Sequence, residues 1–485
     1  MLEPAATSPA AGSSDALAGR AAAAWLRRNV HAVIFAAIYA GALFALASQE
    51  FVQDTWLTLS GGRDVVRHGL PWHERLTVLN HGHEWVDQQW LGKVFLYTVA
   101  HAGGLRLLLI AHVVFVAGAI ALAFAVVRRR GASDAAVFWV GLATLPVAPW
   151  AWQLRVQSLA YVLFVGVVAL LSSNRGAITR RSWLVVPLLV LWANVHGSVT
   201  LGAALAVAAG LLRLRRQPVA GSVLAIVSGV TLVASPYGLH LVHYYRTLLF
   251  NPTLARYVGE WRPSSYPAAV PFFLLLLGVT WLVARNGRAL SAFEYATLAV
   301  TAAAGLAAIR GIVWFALAVI VVLPKVLDAE RRGASASSVR ILQPLAAVCC
   351  AAALFVGVAA VARLPGAVAA TYPPGAADAV ARAAAQDPSA TVFASERYAN
   401  WLLWRDPKLS GKLVYDVRFE LFSPKQFEDL ALFHDRVGTT WTRIADGARL
   451  LVLDLAADRR AANALRARPG TSVLFEGDGV AVLAR

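Results

Sequence analysis

Apolar residues in this chain do not follow the period of a helix face or a strand. They come in long blocks separated by short polar stretches. Blocks close to the roughly 17–25 residues that cross a hydrocarbon core lie near 30–48, 104–127, 134–150, 157–173, 183–197, 198–213, 219–235, 268–285, 291–309, 311–328 and 340–362. The pattern predicts a polytopic α-helical membrane protein of about eleven spans over 30–362. A shorter apolar-biased stretch, "WVDQQWLGKVFLYTVAHAGG" at 85–104, suits a helix lying on the membrane surface.

The pattern changes after residue 363. Short β-rich runs, "TVFA", "KLVYD", "RLLVLDL" and "TSVLFEG", alternate with helical patterns, "GAADAVARAAAQ", "KQFEDLALFHDRV" and "DRRAANALRAR". This predicts a small α/β domain over 363–485, with the proline-rich "RLPGAVAATYPPG" as its linker. No glycine-rich phosphate loop and no metal-ligand spacing occurs there, which favours a supporting or acceptor-binding role over catalysis.

Composition agrees with the membrane reading, since 58% of the 485 residues are hydrophobic and only 15% are charged. The formal net charge of +17 does not imply a nucleic-acid partner, because the arginines cluster between apolar blocks, where they set topology. With Arg27 and Arg28 inside, alternation of the spans puts Arg128–Arg130, Arg175 with Arg180 and Arg181, Arg213 with Arg215 and Arg216, Arg285 with Arg288, and Arg331 with Arg332 all inside. This agreement requires that 85–104 is not a span. The N-terminus is then cytoplasmic, residues 1–29 form a disordered tail, and 363–485 lies outside the cytoplasm. The polar outer face consists mainly of the opening loop 49–103, the loop 236–267, several tight turns and the C-terminal region. The two cysteines, Cys349 and Cys350, are adjacent within an apolar run and read as small span residues.

Several polar residues fall at the outer ends of spans. Asp54, in "FVQDTWLTLSGG", follows the first span and reads either as the N-cap of a helix or as a carboxylate fixed for chemistry. Trp192, Asn194 and His196 mark a tight junction in "LWANVHGSVTLG". Arg155 and Arg310 are lone arginines on the arginine-poor side, and each needs an anionic partner: a ligand phosphate or an internal carboxylate. Glu260 lies between Tyr257 and Trp261, an aromatic-plus-carboxylate grouping that holds sugars and also occurs in interfacial belts. Glu74, His81, His83, Glu84 and Asp87 crowd the opening loop. Some of them, with Asp54, offer oxygen and nitrogen ligands for a divalent cation such as Mg or Mn, although their spacing fits no specific metal motif and no metal ligands are assigned.

A first span followed by an acidic residue in a long outer loop, many further spans and a C-terminal domain on the same face resembles the GT-C class of membrane glycosyltransferases. That class includes protein O-mannosyltransferases, oligosaccharyltransferase catalytic subunits and aminoarabinose transferases. The stretches "DTWLTLSGGRDVVRHGLPWHERLT", "HEWVDQQWL", "WANVHG", "SPYG" and "EW" also resemble a group of bacterial membrane proteins of this type. The resemblance implies transfer of a sugar from a polyprenyl-phosphate donor to an extracytoplasmic glycan or protein hydroxyl, in a bacterial plasma membrane, with Asp54 as general base. Many members carry a second acidic residue next to this position, whereas Asp54 stands alone in "VQDTW". In this scheme Arg155 and Arg310 clamp the phosphate, and His196, Asn194, Glu260, Trp261, Glu74 and Asp87 contact substrate. Two other classes fit the same composition: a non-catalytic assembly protein that uses the C-terminal domain as a platform, and a transporter. The spans carry almost no mid-helix charge, which argues against a transport path.

Overall fold

A computed structural model describes residues 11–48, 51–172, 177–265, 267–330 and 339–485. In chain order the helices up to the C-terminal region are α1 (Ala11–Ala47), α2 (Gln53–His68), α3 (Trp90–Arg129), α4 (Asp134–Thr144), α5 (Gln157–Ser172), α6 (Val185–Val195), α7 (Val199–Leu211), α8 (Pro218–Val230), α9 (His240–Leu249), α10 (Pro252–Tyr257), α11 (Val270–Asn286), α12 (Ala292–Ala307), α13 (Ile312–Val322), α14 (Pro324–Glu330) and α15 (Val339–Thr371). Every apolar block read from the sequence overlaps one of these helices, and 311–328 overlaps two, α13 and α14. Among the described residues, four helices are long and apolar enough to cross a membrane, at Asn29–Ala47, Trp90–Arg129, Val270–Ala289 and Leu342–Thr371, with a fifth if α13 and α14, bent by 53°, form one span. Five further apolar helices have only 10–17 residues. The bundle therefore combines long and short apolar helices.

Local chemistry sets several boundaries. Residues 11–29 are helical, contrary to the expected disordered tail, because "ALAGRAAAAW" is rich in alanine, the strongest helix former; residues 1–10 lie outside the described part. The stretch 85–104 ends at a change in the backbone. Within α3 the chain leaves helical geometry at Gly103 and Gly104, and Gly104 has φ 67°, which glycine adopts without steric cost. The break separates an amphipathic segment that begins at Trp90 from the apolar segment that follows.

The expected linker is largely helix. Residues 363–371 continue α15 through Pro365, since one proline removes one backbone donor but the alanine-rich "AAVA" before it and "AVAA" after it favour the helix. The buried Tyr372 then docks the chain, its Oη donating to the Phe51 carbonyl at 2.8 Å.

Beyond Thr371 come α16 (Pro374–Gln386), β1 (Val392–Ala394), α17 (Glu396–Arg405), α18 (Pro424–Asp435), β2 (Leu450–Asp454), α19 (Arg459–Arg466), β3 (Ser472–Gly477) and β4 (Val480–Ala484). They form a four-stranded mixed sheet in the order β1-β2-β4-β3, with β1 and β2 parallel and the other pairs antiparallel. "KLVYD" is not a strand of this sheet. It runs alongside β1 through a bridge between Val392 and Leu413, and the opening loop adds a further bridge from Thr77. Backbone hydrogen bonds from Val78 N to Leu413 O (2.7 Å) and from Leu79 N to Val414 O (2.9 Å) join the loop to the domain. The exposed sheet edge is thereby paired with a segment more than three hundred residues away in sequence.

A second seam runs along α2, which is clamped between α3 and α17. The Arg63 guanidinium donates to the carbonyls of Leu403 and Trp404 at the end of α17 and stacks on the Trp404 ring at 5.1 Å. On the other side Gly62 lets α2 approach α3 closely: a Cβ there would lie 2.3 Å from the Lys93 carbonyl oxygen. Gly62→Ala is therefore expected to destabilise the fold by about 1–3 kcal/mol through overpacking. A lowered thermal unfolding midpoint checks this, and an unchanged midpoint would contradict the close approach.

Candidate active site

A cavity of about 950 Å³ lies where the ends of the bundle helices meet the C-terminal domain. Its walls come from the start of α2, the 155–157 turn before α5, the α6–α7 junction, the α9–α10 region, the α12–α13 junction, the start of α17 and the segment 417–420. Asp54, Arg155, His196, Glu260, Trp261 and Arg310 all line it, together with Asp87. Residues spread over 250 positions of sequence thus share one chamber.

Asp54 is not the cap of α2. The cap position is Val52, without a side-chain hydrogen bond, and Asp54 lies in the first turn, where a carboxylate is favoured by the helix dipole. Its carboxylate faces the guanidinium of Arg155, Oδ2 to Nε 3.3 Å, and the Asp54 side chain retains 41% of its exposure. The neighbouring Thr55 hydroxyl donates to the Leu154 carbonyl at 2.7 Å, pinning the start of α2 to the turn that carries Arg155.

Arg155 also holds Glu260. Nη1 donates to Oε2 at 2.8 Å, and Nη2 lies 2.6 Å from Oε1, so the pair is bidentate. Burial alone would lower the basicity of Arg155; Asp54 and Glu260 outweigh it and hold the guanidinium more firmly protonated than usual. Burial alone would likewise raise the Glu260 carboxyl, but the Arg155 hydrogen bond and charge, with a contribution from Arg310, hold it below its ordinary value. Of the two kinds of partner open to it, a ligand phosphate or an internal carboxylate, Arg155 has the second, from two distant segments. Arg310 differs. Its guanidinium stacks over the Trp261 ring at 4.4 Å and, among the described residues, no carboxylate lies within ion-pair distance of it.

His196 sits at the end of α6 in extended backbone conformation. Its Nδ1 accepts from the Ser198 amide at 3.1 Å and lies 2.7 Å from the Ser198 hydroxyl. The ring is therefore neutral with its proton on Nε2, and burial, then the charges of Arg310 and Arg155, push its pKa down to about 3.

Three other predicted contacts are otherwise engaged. Asn194 lies outside the cavity lining and uses its amide within the fold, accepting from Trp90 Nε1 (3.0 Å) and donating to the carbonyls of Val190 (2.9 Å) and Ala234 (2.8 Å). Glu74 is also outside. It accepts from the amides of Leu76 and Thr77 at 2.7 Å and pairs with Arg418, which is shared with Asp416. Asp87 lines the cavity but is matched by Lys93 at 2.8 Å. Glu84 pairs with His240 at 2.7 Å. The acidic residues Glu74, Glu84 and Asp87 of the opening loop are thus dispersed among separate partners. Among the described residues no three His, Cys, Asp or Glu side chains are grouped so as to hold a metal ion.

Two cavity residues were not legible in the sequence. Glu396 enters from the start of α17 and accepts from Gln53 Nε2 at 2.6 Å, beside Asp54. Glu420 enters from the turn after Arg418. Neither belongs to a motif, and only the docking of the C-terminal domain brings them to the chamber.

No family model and no curated protein matches the sequence. Solved structures do. The chain is similar to ArnT from Cupriavidus metallidurans bound to undecaprenyl phosphate, at 14% identity and a TM-score of 0.54, with 93% of this chain and 97% of that one covered. The apo state of the same protein gives 14% identity and a TM-score of 0.54 over 96% and 98%. The Archaeoglobus fulgidus oligosaccharyltransferase in its apo form is similar at 12% identity and a TM-score of 0.50, over 89% of this chain and 70% of that one. The chain has a GT-C-like fold. Within this fold the chamber between the helix ends and the C-terminal domain is built here from Asp54, Arg155, Glu260, His196 and Arg310.

Proposed function

We propose that the protein is a bacterial plasma-membrane glycosyltransferase that moves a sugar from a polyprenyl-phosphate donor to an extracytoplasmic glycan or protein hydroxyl. The observation that carries this reading is the division of charge in the chamber: a partly exposed carboxylate, Asp54, and a cation without an ion pair, Arg310, line the same 950 Å³ space. Support for the lipid carrier comes from the GT-C-like fold and from the ArnT structure, which was solved with undecaprenyl phosphate.

In the proposed step the acceptor oxygen forms a bond to the anomeric carbon of the donor sugar. The bond from that carbon to the phosphate oxygen breaks, and the acceptor proton passes to Asp54. The polyprenyl phosphate leaves with the electron pair of the broken bond and needs a cation rather than a proton, which Arg310 supplies. Arg155 has a different part from the one its sequence position suggests. It ties Asp54 to Glu260, fixing the base relative to the 236–267 loop, and leaves Arg310 as the principal phosphate contact. Neutral His196, with its proton on Nε2, offers a hydrogen-bond donor to the substrate, and Trp261 offers an apolar ring face.

The test is a titration of the purified protein with undecaprenyl phosphate followed by native mass spectrometry. The wild type is expected to bind it. Arg310→Gln is expected to weaken binding by about tenfold to a hundredfold, the range of a lost hydrogen bond to a charged group. Equal affinity for both proteins would remove Arg310 from the phosphate site, and absence of binding to the wild type would overturn the reading.

A further inference from the structure

The charged groups that face the chamber are not all satisfied in the same way. Arg155 is matched by Asp54 and Glu260, Lys93 by Asp87, and Arg418 by Asp416 and Glu74. Three lining groups have no ion pair among the described residues: Arg310 from the helix bundle, and Glu396 and Glu420 from the C-terminal domain. The unmatched cation and the unmatched carboxyls thus belong to different halves of the molecule.

The two carboxyls retain hydrogen-bonding capacity. Glu396 uses one oxygen to accept from Gln53, so the residue adjacent to Asp54 holds Glu396 close to the proposed base. For Glu420 no hydrogen bond to another side chain is found among the described residues. Burial pushes its carboxyl up to about 7 against opposing effects of its own backbone, Arg418 and Lys93, so near neutral pH it both donates and accepts. Phe419 beside it adds an apolar ring to the same wall. Of the four cations in the lining only Arg310, on the bundle side, has no carboxylate partner among the described residues, so the wall that carries Glu396 and Glu420 offers no free cation to an anionic ligand. Groups with spare lone pairs, one of them able to donate, next to a ring and on a wall without a free cation, match a ligand rich in hydroxyls.

We infer that the C-terminal domain forms the acceptor subsite, in which Glu396 and Glu420 hold the hydroxyls of an uncharged polyhydroxylated acceptor while the lipid phosphate occupies the Arg310 side. This rests on the glycosyltransferase reading and adds the class of the acceptor and the domain that selects it. The expected selectivity follows from chemistry. An anionic acceptor would meet two carboxyls without compensating charge, whereas a neutral glycan meets only donors and acceptors.

The experiment uses the full chain in lipid nanodiscs, with neutral disaccharides as probes and the corresponding uronic acids as anionic controls, read by saturation-transfer NMR. Undecaprenyl phosphate is titrated in parallel. Neutral disaccharides are expected to bind the wild type, uronic acids to bind at least about tenfold more weakly, and Glu396→Ala/Glu420→Ala to weaken the neutral probe by at least about tenfold with undecaprenyl phosphate affinity unchanged. If the double variant unfolds, Glu420→Ala alone, which breaks no ion pair, is expected to weaken the neutral probe. Equal sugar binding by variant and wild type, or equal binding of uronic acids, would overturn the acceptor subsite. So would absence of sugar binding to a protein that binds undecaprenyl phosphate. A wild type that binds no undecaprenyl phosphate would overturn the glycosyltransferase reading and this inference with it.

Discussion

Asp54→Asn is expected to leave the protein folded and to slow sugar transfer by at least about a hundredfold, the lower end of what a positioned general base contributes. Asn has nearly the same size, and Asp54 makes no capping hydrogen bond whose loss would weaken α2. Arg155 keeps its bidentate partner Glu260, at 2.8 and 2.6 Å, so no guanidinium is stranded. Undecaprenyl phosphate affinity should change little, because Arg310 lies outside this ion-pair cluster. The measurement is single-turnover transfer with a lipid-linked sugar, alongside a thermal melt. An unaltered rate would remove Asp54 from the chemistry, and a melt lowered in proportion to the rate would assign it to the fold.

Arg418→Met should produce the largest loss of stability. Arg418 is buried between Glu74 of the opening loop and Asp416 of the C-terminal region, and its guanidinium also lies 5.1 Å from the Trp85 ring. Burial alone would weaken its hold on its proton. Asp416, then Glu74, outweigh that and keep it protonated. Removing the cation leaves two buried carboxylates facing each other, and breaking a buried ion pair from one side costs about 3–5 kcal/mol. A thermal unfolding scan should show a large drop in midpoint, and limited proteolysis should cut the C-terminal region faster than in the wild type. A midpoint within a degree of wild type would mean that the seam does not depend on this cluster.

The contrast between these residues shows how far the sequence could be read. Asp54, Arg155 and Arg310 stood out because each is a lone charge at the end of an apolar block, where solvation is poor and a partner is required. That reasoning identifies a need without identifying the partner. For Arg155 the partners are carboxylates 101 and 105 positions away, so what resembled a free phosphate ligand is an internal clamp. Glu74 and Asp87 attracted attention through local crowding of acidic residues, yet each neutralises a basic side chain. Glu396 and Glu420 lie in unremarkable helical and turn sequence and gave no signal.

Properties set by local composition are determined by the chain alone. The apolar blocks place the helices because a buried backbone in hydrocarbon must satisfy its own hydrogen bonds. The alternating short strands and helices after residue 363 likewise predict an α/β unit. Adjacent glycines permit the break at Gly103–Gly104 but do not dictate it, since Gly61 and Gly62 continue α2 without one. Tertiary structure decided what is non-local: which carboxylates meet Arg155, that the opening loop pairs with the C-terminal sheet edge, and that α17 and the 417–420 segment close the chamber. These contacts join residues separated by about a hundred to more than three hundred positions. Their formation depends on packing and charge complementarity between elements, and no periodicity along the chain encodes either.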